Sequence, residues 1–248
     1  MSDTEIRCEG LIKRFDGAQV IAPLDLTFEA GQTTALVGPS GCGKSTLLRV
    51  IAGLEAPTGG AVRIGVDSPM ALAKRGGLSM AFQDHALLPW RTVRGNVALG
   101  ATLARKPARG VDDLIALVGL AGFEDYRPGE LSGGMRQRAA IARSLISQPE
   151  VLLLDEPFGA VDALTRSRLN IDLPPLWRDR NTTTLIVTHS VSEAVSLSDR
   201  IVVLSPRPAS VMADIPVTFD GPRTSNLTNT PAFQAKTAQV LQALGVPA

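Results

Sequence analysis

Residues 34–46 read Thr34-Ala35-Leu36-Val37-Gly38-Pro39-Ser40-Gly41-Cys42-Gly43-Lys44-Ser45-Thr46. An apolar, strand-like run opens directly onto G-x-x-x-x-G-K-[ST], the phosphate-cradling loop pattern. Gly38, Gly41 and Gly43 let backbone N–H groups approach phosphate oxygens with no Cβ in the way. Lys44 places a point charge near the β- and γ-phosphates, and the Ser45 hydroxyl is the expected Mg²⁺ ligand. A helix expected from near Thr46, carrying Leu47, Leu48, Val50 and Ile51, aims the positive end of its dipole at the anion. A glycine-rich turn that binds nothing would not need the strand before it, the helix after it and the Lys-Ser pair together. The stretch therefore specifies a triphosphate substrate with Mg²⁺ and an α/β fold built around a phosphate-binding loop.

The rest of the composition sets bounds on this reading. With 248 residues and 44% hydrophobic content, the chain can bury a sizeable core as one large α/β domain or a core with a subdomain. Its formal net charge of +1 gives no bulk attraction to nucleic acid, and no nucleic-acid partner is expected. Cys8 and Cys42 are the two cysteines. Cys42 lies inside the phosphate loop, where a disulfide would obstruct ligand, so a reducing cytoplasmic setting is expected. The first residues lack a signal-peptide apolar core. No apolar run approaches the roughly 18 residues needed to cross a bilayer, so action at a membrane would depend on partners.

Along the chain, Ile6 to Ile12 and Leu24 to Phe28 alternate like antiparallel strands. The phosphate-loop strand and its helix run to about Gly53. Gly59-Gly60 reads as a turn before a strand at Val62 to Ile64, and Leu78 to Phe82 as a further strand ending at Gln83. From about Asp84 to Glu150 the pattern becomes helical, an insertion into the α/β core. Val151 to Leu154, Thr184 to Val187 and Ile201 to Leu204 are continuous apolar runs, typical of strands buried on both faces. Residues 216–231 read as a loop, and a terminal helix is expected around Ala232 to Leu244. The division that follows is a nucleotide-binding α/β core at 1–83 and 151–215, a helical subdomain at 84–150, and a C-terminal loop and helix at 216–248.

Asp155 and Glu156 end the buried 151–154 run, at the sheet edge where ligands of open α/β folds gather. An isolated Asp-Glu pair reads as a solvated turn. Here one carboxylate can hold Mg²⁺ and the other can polarise an attacking water. In Leu131-Ser132-Gly133-Gly134-Met135-Arg136-Gln137-Arg138, Ser132 can N-cap a helix from Met135 to Ile146. Gly133 and Gly134 leave N–H groups open, giving a second anion-facing helix start. Spacing alone fits an ordinary helix start with loop glycines equally well.

Taken in order, Gly38–Thr46, Gln83, Leu131–Arg138, Asp155-Glu156, Asp162 and His189 resemble the ATP-binding subunit of an ABC transporter over roughly residues 5 to 210. The resemblance implies a P-loop NTPase core with a RecA-type mixed sheet, an N-terminal antiparallel β subdomain and an inserted α-helical subdomain. It implies a head-to-tail homodimer in which Ser132, Gly133 and Gly134 contact ATP held by the partner's phosphate loop. Glu156 would be the catalytic base and His189 would contact the γ-phosphate. Gln83 would link Mg²⁺ and the attacking water to the membrane partner, with Ser45 and Asp155 also at the metal. Asp162, in Ala160-Val161-Asp162, would bridge the dimer. Phe15 stands where an aromatic ring stacks on adenine, unless it is a core residue. His85 matches no motif and reads as surface.

The segments Phe82 to Val93, Gly95-Asn96-Val97, and Ser198 to Pro208 are similar to importer ATPases of the nitrate/sulfonate/taurine type. In that group the segment after Gln83 borders a groove for the coupling helix of an integral membrane permease. This puts the 84–97 region at that partner, with an extracytoplasmic solute-binding protein joining through the complex. The protein would then lie on the cytoplasmic face of the membrane. Leu87, Leu88 and Trp90 suit such a groove, and suit core packing as well. Met135 and Val161 depart mildly from the wider family's Gln and Leu. The long C-terminal regulatory domain of sugar-importer ATPases is not expected. Pro174-Pro175 falls within an expected helix from Ala163 to about Arg180 and should break it near Leu173, at a cost of about 3 kcal/mol or more were the helix to continue. The rivals are an exporter ATPase with separate membrane subunits, a DNA-repair or chromosome ATPase, which would need coiled-coil heptads this chain lacks, and a nucleotide-gated scaffold without turnover.

Overall fold

Two sheets with different residue patterns divide the strands. The computed structural model describes residues 4–221, 223–224 and 226–246. The alternating N-terminal sequence forms the long antiparallel pair β1 (Ile6–Phe15) and β2 (Ala18–Phe28). One face of this pair is buried and the other solvated, as the alternation dictates. After β3 (Thr33–Val37) and helix α1 (Lys44–Ile51), β4 (Gly59–Ile64) returns to β1, giving a three-stranded sheet of order β2-β1-β4. Gly59 and Gly60 thus belong to the strand rather than to a turn before it. Gly60 sits at φ +72°, where an added Cβ would meet the Glu9 and Gly10 carbonyls at 2.4 and 2.3 Å. The pairing register shifts at this place, between Glu9 and Ile12, so the glycines mark an irregularity inside the ladder.

A short helix that sequence reading missed, α2 (Pro69–Lys74), follows, N-capped by Ser68 and with proline in its first turn. Then come β5 (Leu78–Ala81), the helices α3 (Val93–Leu103), α4 (Val111–Leu117) and α5 (Gly133–Leu145), and β6 (Val151–Asp155). Residues 84–92 are not helical, so the helical stretch begins later than the sequence pattern suggested. Asn96, fully buried, closes this loop: its amide donates to the Leu88, Arg91 and Thr92 carbonyls, and its Oδ1 accepts from Leu88 N at 2.7 Å.

The chain then forms α6 (Ala163–Asp172), the single-turn α7 (Pro175–Arg178), β7 (Thr183–Val187), α8 (Val191–Leu197), β8 (Arg200–Leu204), β9 (Val211–Pro216) and α9 (Pro231–Ala243). The expected break falls where proline requires it: α6 ends at Asp172 with Leu173 as its C-cap, and α7 starts at Pro175. The turn delivers Trp177 into the core, where its indole N–H donates to Thr33 Oγ1 at 3.2 Å.

The main sheet has the order β5-β6-β7-β3-β8-β9, parallel except for β8 with β9. β3, β6 and β7 are buried at every residue, so apolar clusters cover both faces of the sheet. Because β5, β6, β7 and β3 run the same way side by side, the segments leaving their carboxyl ends must emerge together. Gln83, Asp155-Glu156, Thr188-His189 and Gly38 are the residues that do so.

Candidate functional site

The phosphate loop joins β3 to α1, and α1 begins at Lys44, two residues earlier than expected, with Gly43 as N-cap. Gly43 holds φ +123°, and a Cβ there would press on Val20 at 3.1 Å and on its carbonyl at 3.2 Å. Pro39, Ser40 and Gly41 form the exposed rim, while Cys42, Gly43 and Lys44 are buried and Ser45 and Thr46 are intermediate. Lys44 Nζ donates to the carbonyls of Gly38 and Pro39, each at 2.8 Å, and lies 3.8 Å from Cys42 Sγ. The ammonium thus occupies the hollow of its own loop, where an anion would be cradled.

Ser45 Oγ donates to Asp155 Oδ1 at 2.8 Å, joining α1 to the end of β6. Asp155 is almost fully buried, and its Oδ2 has no hydrogen-bond partner. Burial pushes this carboxyl above the usual carboxylate range; the Ser45 hydrogen bond and the nearby Arg49 and Lys44 oppose the rise. An unsatisfied, desolvated carboxylate oxygen beside a serine hydroxyl fits a divalent cation that takes hard oxygen ligands. Among the described residues no group of three or more His, Cys, Asp or Glu side chains could hold a metal ion alone.

Glu156 follows in a left-handed conformation, φ +48°, uncommon for a residue with a long side chain and a mark of local constraint. Its N–H donates to Val187 O at 2.9 Å. Its Oε2 accepts from Gln83 Nε2 at 3.3 Å and lies 3.5 Å from His189 Nδ1. The carboxyl edge of the sheet therefore brings five of the expected residues together: Gln83, Ser45, Asp155, Glu156 and His189.

One residue in this constellation had no assigned role beyond its place in the 131–138 segment. Gln137, on α5 and nearly fully buried, donates from Nε2 to Glu156 O at 2.5 Å and accepts at Oε1 from Ala160 N at 2.7 Å. It clamps both ends of the turn that follows β6 and so holds the strained Glu156 backbone. A buried-side Gln in an amphipathic helix was the available signal, but its partners lie 19 and 23 residues away.

Ser132 N-caps α5, accepting from Met135 N at 3.3 Å. Ser132 is exposed and Gly133 and Gly134 are partly so. A Cβ on Gly134 would lie 2.7 Å from Ala160 O, so the glycine is required by backbone approach. Among the described residues no hydrogen bond ties this helix start to the phosphate loop of the same chain. Asp162 is exposed and N-caps α6 through Thr165 N at 3.0 Å, a bond that holds its carboxyl below the usual range. Phe15 is 41% exposed, with Lys13 Nζ 4.4 Å from its ring centroid, so it is not a core residue.

His85 departs from expectation. It is partly buried, its Nδ1 is enclosed without a partner, and burial pulls its pKa down, with Arg136 adding to the effect. Its carbonyl and that of Ala86 accept from Arg143 on α5 at 2.9 and 2.6 Å. Nearby, Leu88, Phe82, Met80, Leu78, Leu99 and Leu103 line an open apolar groove. Leu54 also lines the groove and is exposed; Trp90, two residues after Leu88, is 69% exposed, and Leu87 packs against the helical core instead.

The sequence matches the ABC transporter family over residues 21–159. The chain belongs to that family. It is 44% identical over 223 residues to the aliphatic sulfonates import ATP-binding protein SsuB of Bacillus subtilis, covering 90% of this chain and 86% of that protein. It is 48% identical over 195 residues to the protein of the same name from Cupriavidus necator, covering 78% of this chain and 64% of that one. Among solved structures, a dimeric ATP-binding cassette in a post-hydrolysis state with ADP and Pi superposes with a TM-score of 0.78 at 26% identity, over 87% of this chain and all of that one. The mixed sheet, antiparallel subdomain and helical insertion are thus the ABC cassette fold. No helix among the described residues is long and apolar enough to cross a membrane.

Proposed function

We propose that this cassette hydrolyses ATP in a head-to-tail homodimer and powers an ABC importer from the cytoplasmic face of the membrane. The observation that carries the reading is the convergence of Ser45, Asp155, Glu156, Gln83 and His189 beside the phosphate loop. Lys44 would exchange its two loop carbonyls for β- and γ-phosphate oxygens. Backbone N–H groups of Gly41, Cys42 and Gly43 and the start of α1 would bind the remaining phosphate charge. A Mg²⁺ ion, held by Ser45, Asp155 and Gln83, would supply charge neutralisation on the phosphates. Glu156, steered by Gln83 and His189, orients the attacking water. Catalysis is then positioning plus electrostatics. Ser132, Gly133 and Gly134 reach ATP on the partner protomer, Asp162 lies at the protomer junction, and Phe15 stacks on adenine.

The division into a nucleotide-binding core (1–83, 151–215), a helical subdomain (84–150) and a C-terminal segment (216–248) assigns these tasks to separate parts. The apolar groove and Trp90 in the 84–97 region receive the permease, through which an extracytoplasmic solute-binding protein delivers the solute. The named relatives support an aliphatic sulfonate as that solute.

Phosphate release by purified protein tests the ATPase reading: Mg-ATP turnover is expected, and Glu156→Gln abolishes it while ATP binding persists. With the permease and binding protein in proteoliposomes, an aliphatic sulfonate should stimulate turnover and nitrate should not. Stimulation by nitrate alone would overturn the solute assignment.

A further inference from the structure

Glu193 is a buried carboxylate, 5% exposed, that the hydrolysis machinery above does not use. It is the third residue of α8, behind the N-cap Ser190, whose Oγ accepts from Glu193 N at 3.3 Å. In an ordinary capping box the carboxylate at this position would return to the N-cap N–H. Here Thr188 is interposed: its Oγ1 donates to Glu193 Oε2 at 2.7 Å and accepts from Ser190 N at 3.0 Å. Both neighbours of His189 are thereby pinned to Glu193. The other carboxylate oxygen, Oε1, lies 3.4 Å from Arg166 Nη1 on α6. Arg166 Nη2 donates to Val161 O at 2.7 Å. Val161 sits between the exposed Ala160 and Asp162.

A chain of polar contacts thus runs from the carbonyl at the centre of the 160–162 loop to the residues flanking His189. Burying the Glu193 carboxylate beside the partly exposed Arg166 is costly compared with apolar packing of similar volume, and capping α8 does not require it. Arg166 Nε is left without a partner, yet the contacts of Nη1 and Nη2 and the buried Thr188–Glu193 hydrogen bond are stiff and geometrically specific.

We propose that Glu193 and Arg166 are positioning residues that couple the 160–162 loop to His189, so that a partner protomer docking on that loop sets the imidazole for turnover. This rests on the proposed role of His189. The test compares steady-state ATP turnover, normalised to sites that bind a fluorescent ATP analogue, in full-length Thr188→Val, Thr188→Ser, Glu193→Gln, Arg166→Met and His189→Ala. Glu193→Gln keeps an acceptor for Thr188 and replaces the charged acceptor facing Arg166 with an amide NH2 of nearly the same volume, which limits the damage to folding.

Thr188→Val, Glu193→Gln and Arg166→Met should each lower kcat about 10- to 100-fold with KM nearly unchanged, the range typical of lost orienting partners. Thr188→Ser should restore turnover to within about threefold of the native rate, and Thr188→Val with Glu193→Gln together should be no slower than the slower single variant. Native kcat in Thr188→Val and Glu193→Gln, alongside an inactive His189→Ala, would overturn the coupling and leave the proposed function standing. Losses that multiply in the double variant would also overturn it. A fully active His189→Ala would overturn both.

Discussion

Asp155 answers to two opposed demands. Its burial and its unpartnered Oδ2 destabilise the protein without ligand, whereas a divalent cation needs that oxygen charged. Asp155→Asn keeps an acceptor for Ser45 and removes the desolvated charge. It should raise the melting temperature of the nucleotide-free protein by about 2–4 °C, the shift that 1 kcal/mol gives at this chain length. The same variant should lose Mg²⁺-dependent stabilisation by ATP; a thermal scan with and without Mg-ATP reads both. Cys8 gives a pH prediction. Burial, with Asp25 adding, pushes its thiol up from 9.0 to about 12. The neutral thiol is therefore favoured in the folded state: its stabilising contribution is complete below pH 9 and is lost as pH rises from 9 towards 12, by up to about 4 kcal/mol. Cys8→Ala should flatten the alkaline limb of stability against pH, whatever it does to stability at pH 7, as denaturant titrations from pH 7 to 10.5 would show. Lys44, Ser45, Asp155 and Glu156 were legible in the sequence because a loop pattern or a strand end fixes their place. Gln137 and Glu193 were not, because their roles depend on which distant backbone groups they reach.

At the scale of elements, α5 and the turn after β6 form one unit. Alanine is the better helix former, yet Gly134→Ala drives a Cβ to within 2.7 Å of Ala160 O. It should destabilise the protein and lower turnover, opposite to what propensity alone dictates; circular dichroism melts with phosphate-release assays check this. Gln137→Leu leaves the Ala160 N–H without its partner and the Glu156 carbonyl with only the Gly159 N–H, at 3.2 Å. A lost hydrogen bond of this kind costs about 1 kcal/mol, and the strained Glu156 backbone loses its clamp. A melting temperature lowered by several degrees together with strongly reduced kcat is expected. Elements with a strong local cause were legible: the apolar runs within β6, β7 and β8, the Ser132 cap, and the break that Pro174-Pro175 imposes. α2 was missed because six residues carry too little periodicity. Gly59 and Gly60 read as a turn because a glycine pair carries no strand signal, while their pairing with β1 is set by tertiary contact.

At the scale of the molecule, one chain presents two glycine-bearing helix starts, α1 behind the phosphate loop and α5 behind Ser132, with no hydrogen bond joining them among the described residues. In a head-to-tail pair each would complete the other's nucleotide site. ATP would then drive closure by its differential affinity for the closed dimer. Size-exclusion chromatography with light scattering of Glu156→Gln, with and without Mg-ATP, tests this most directly when run beside Ser132→Arg in the same background. The expected result is an ATP-dependent shift from monomer to dimer that Ser132→Arg abolishes while ATP binding to the monomer persists. An ATP-dependent dimer that forms equally well with Ser132→Arg would contradict it.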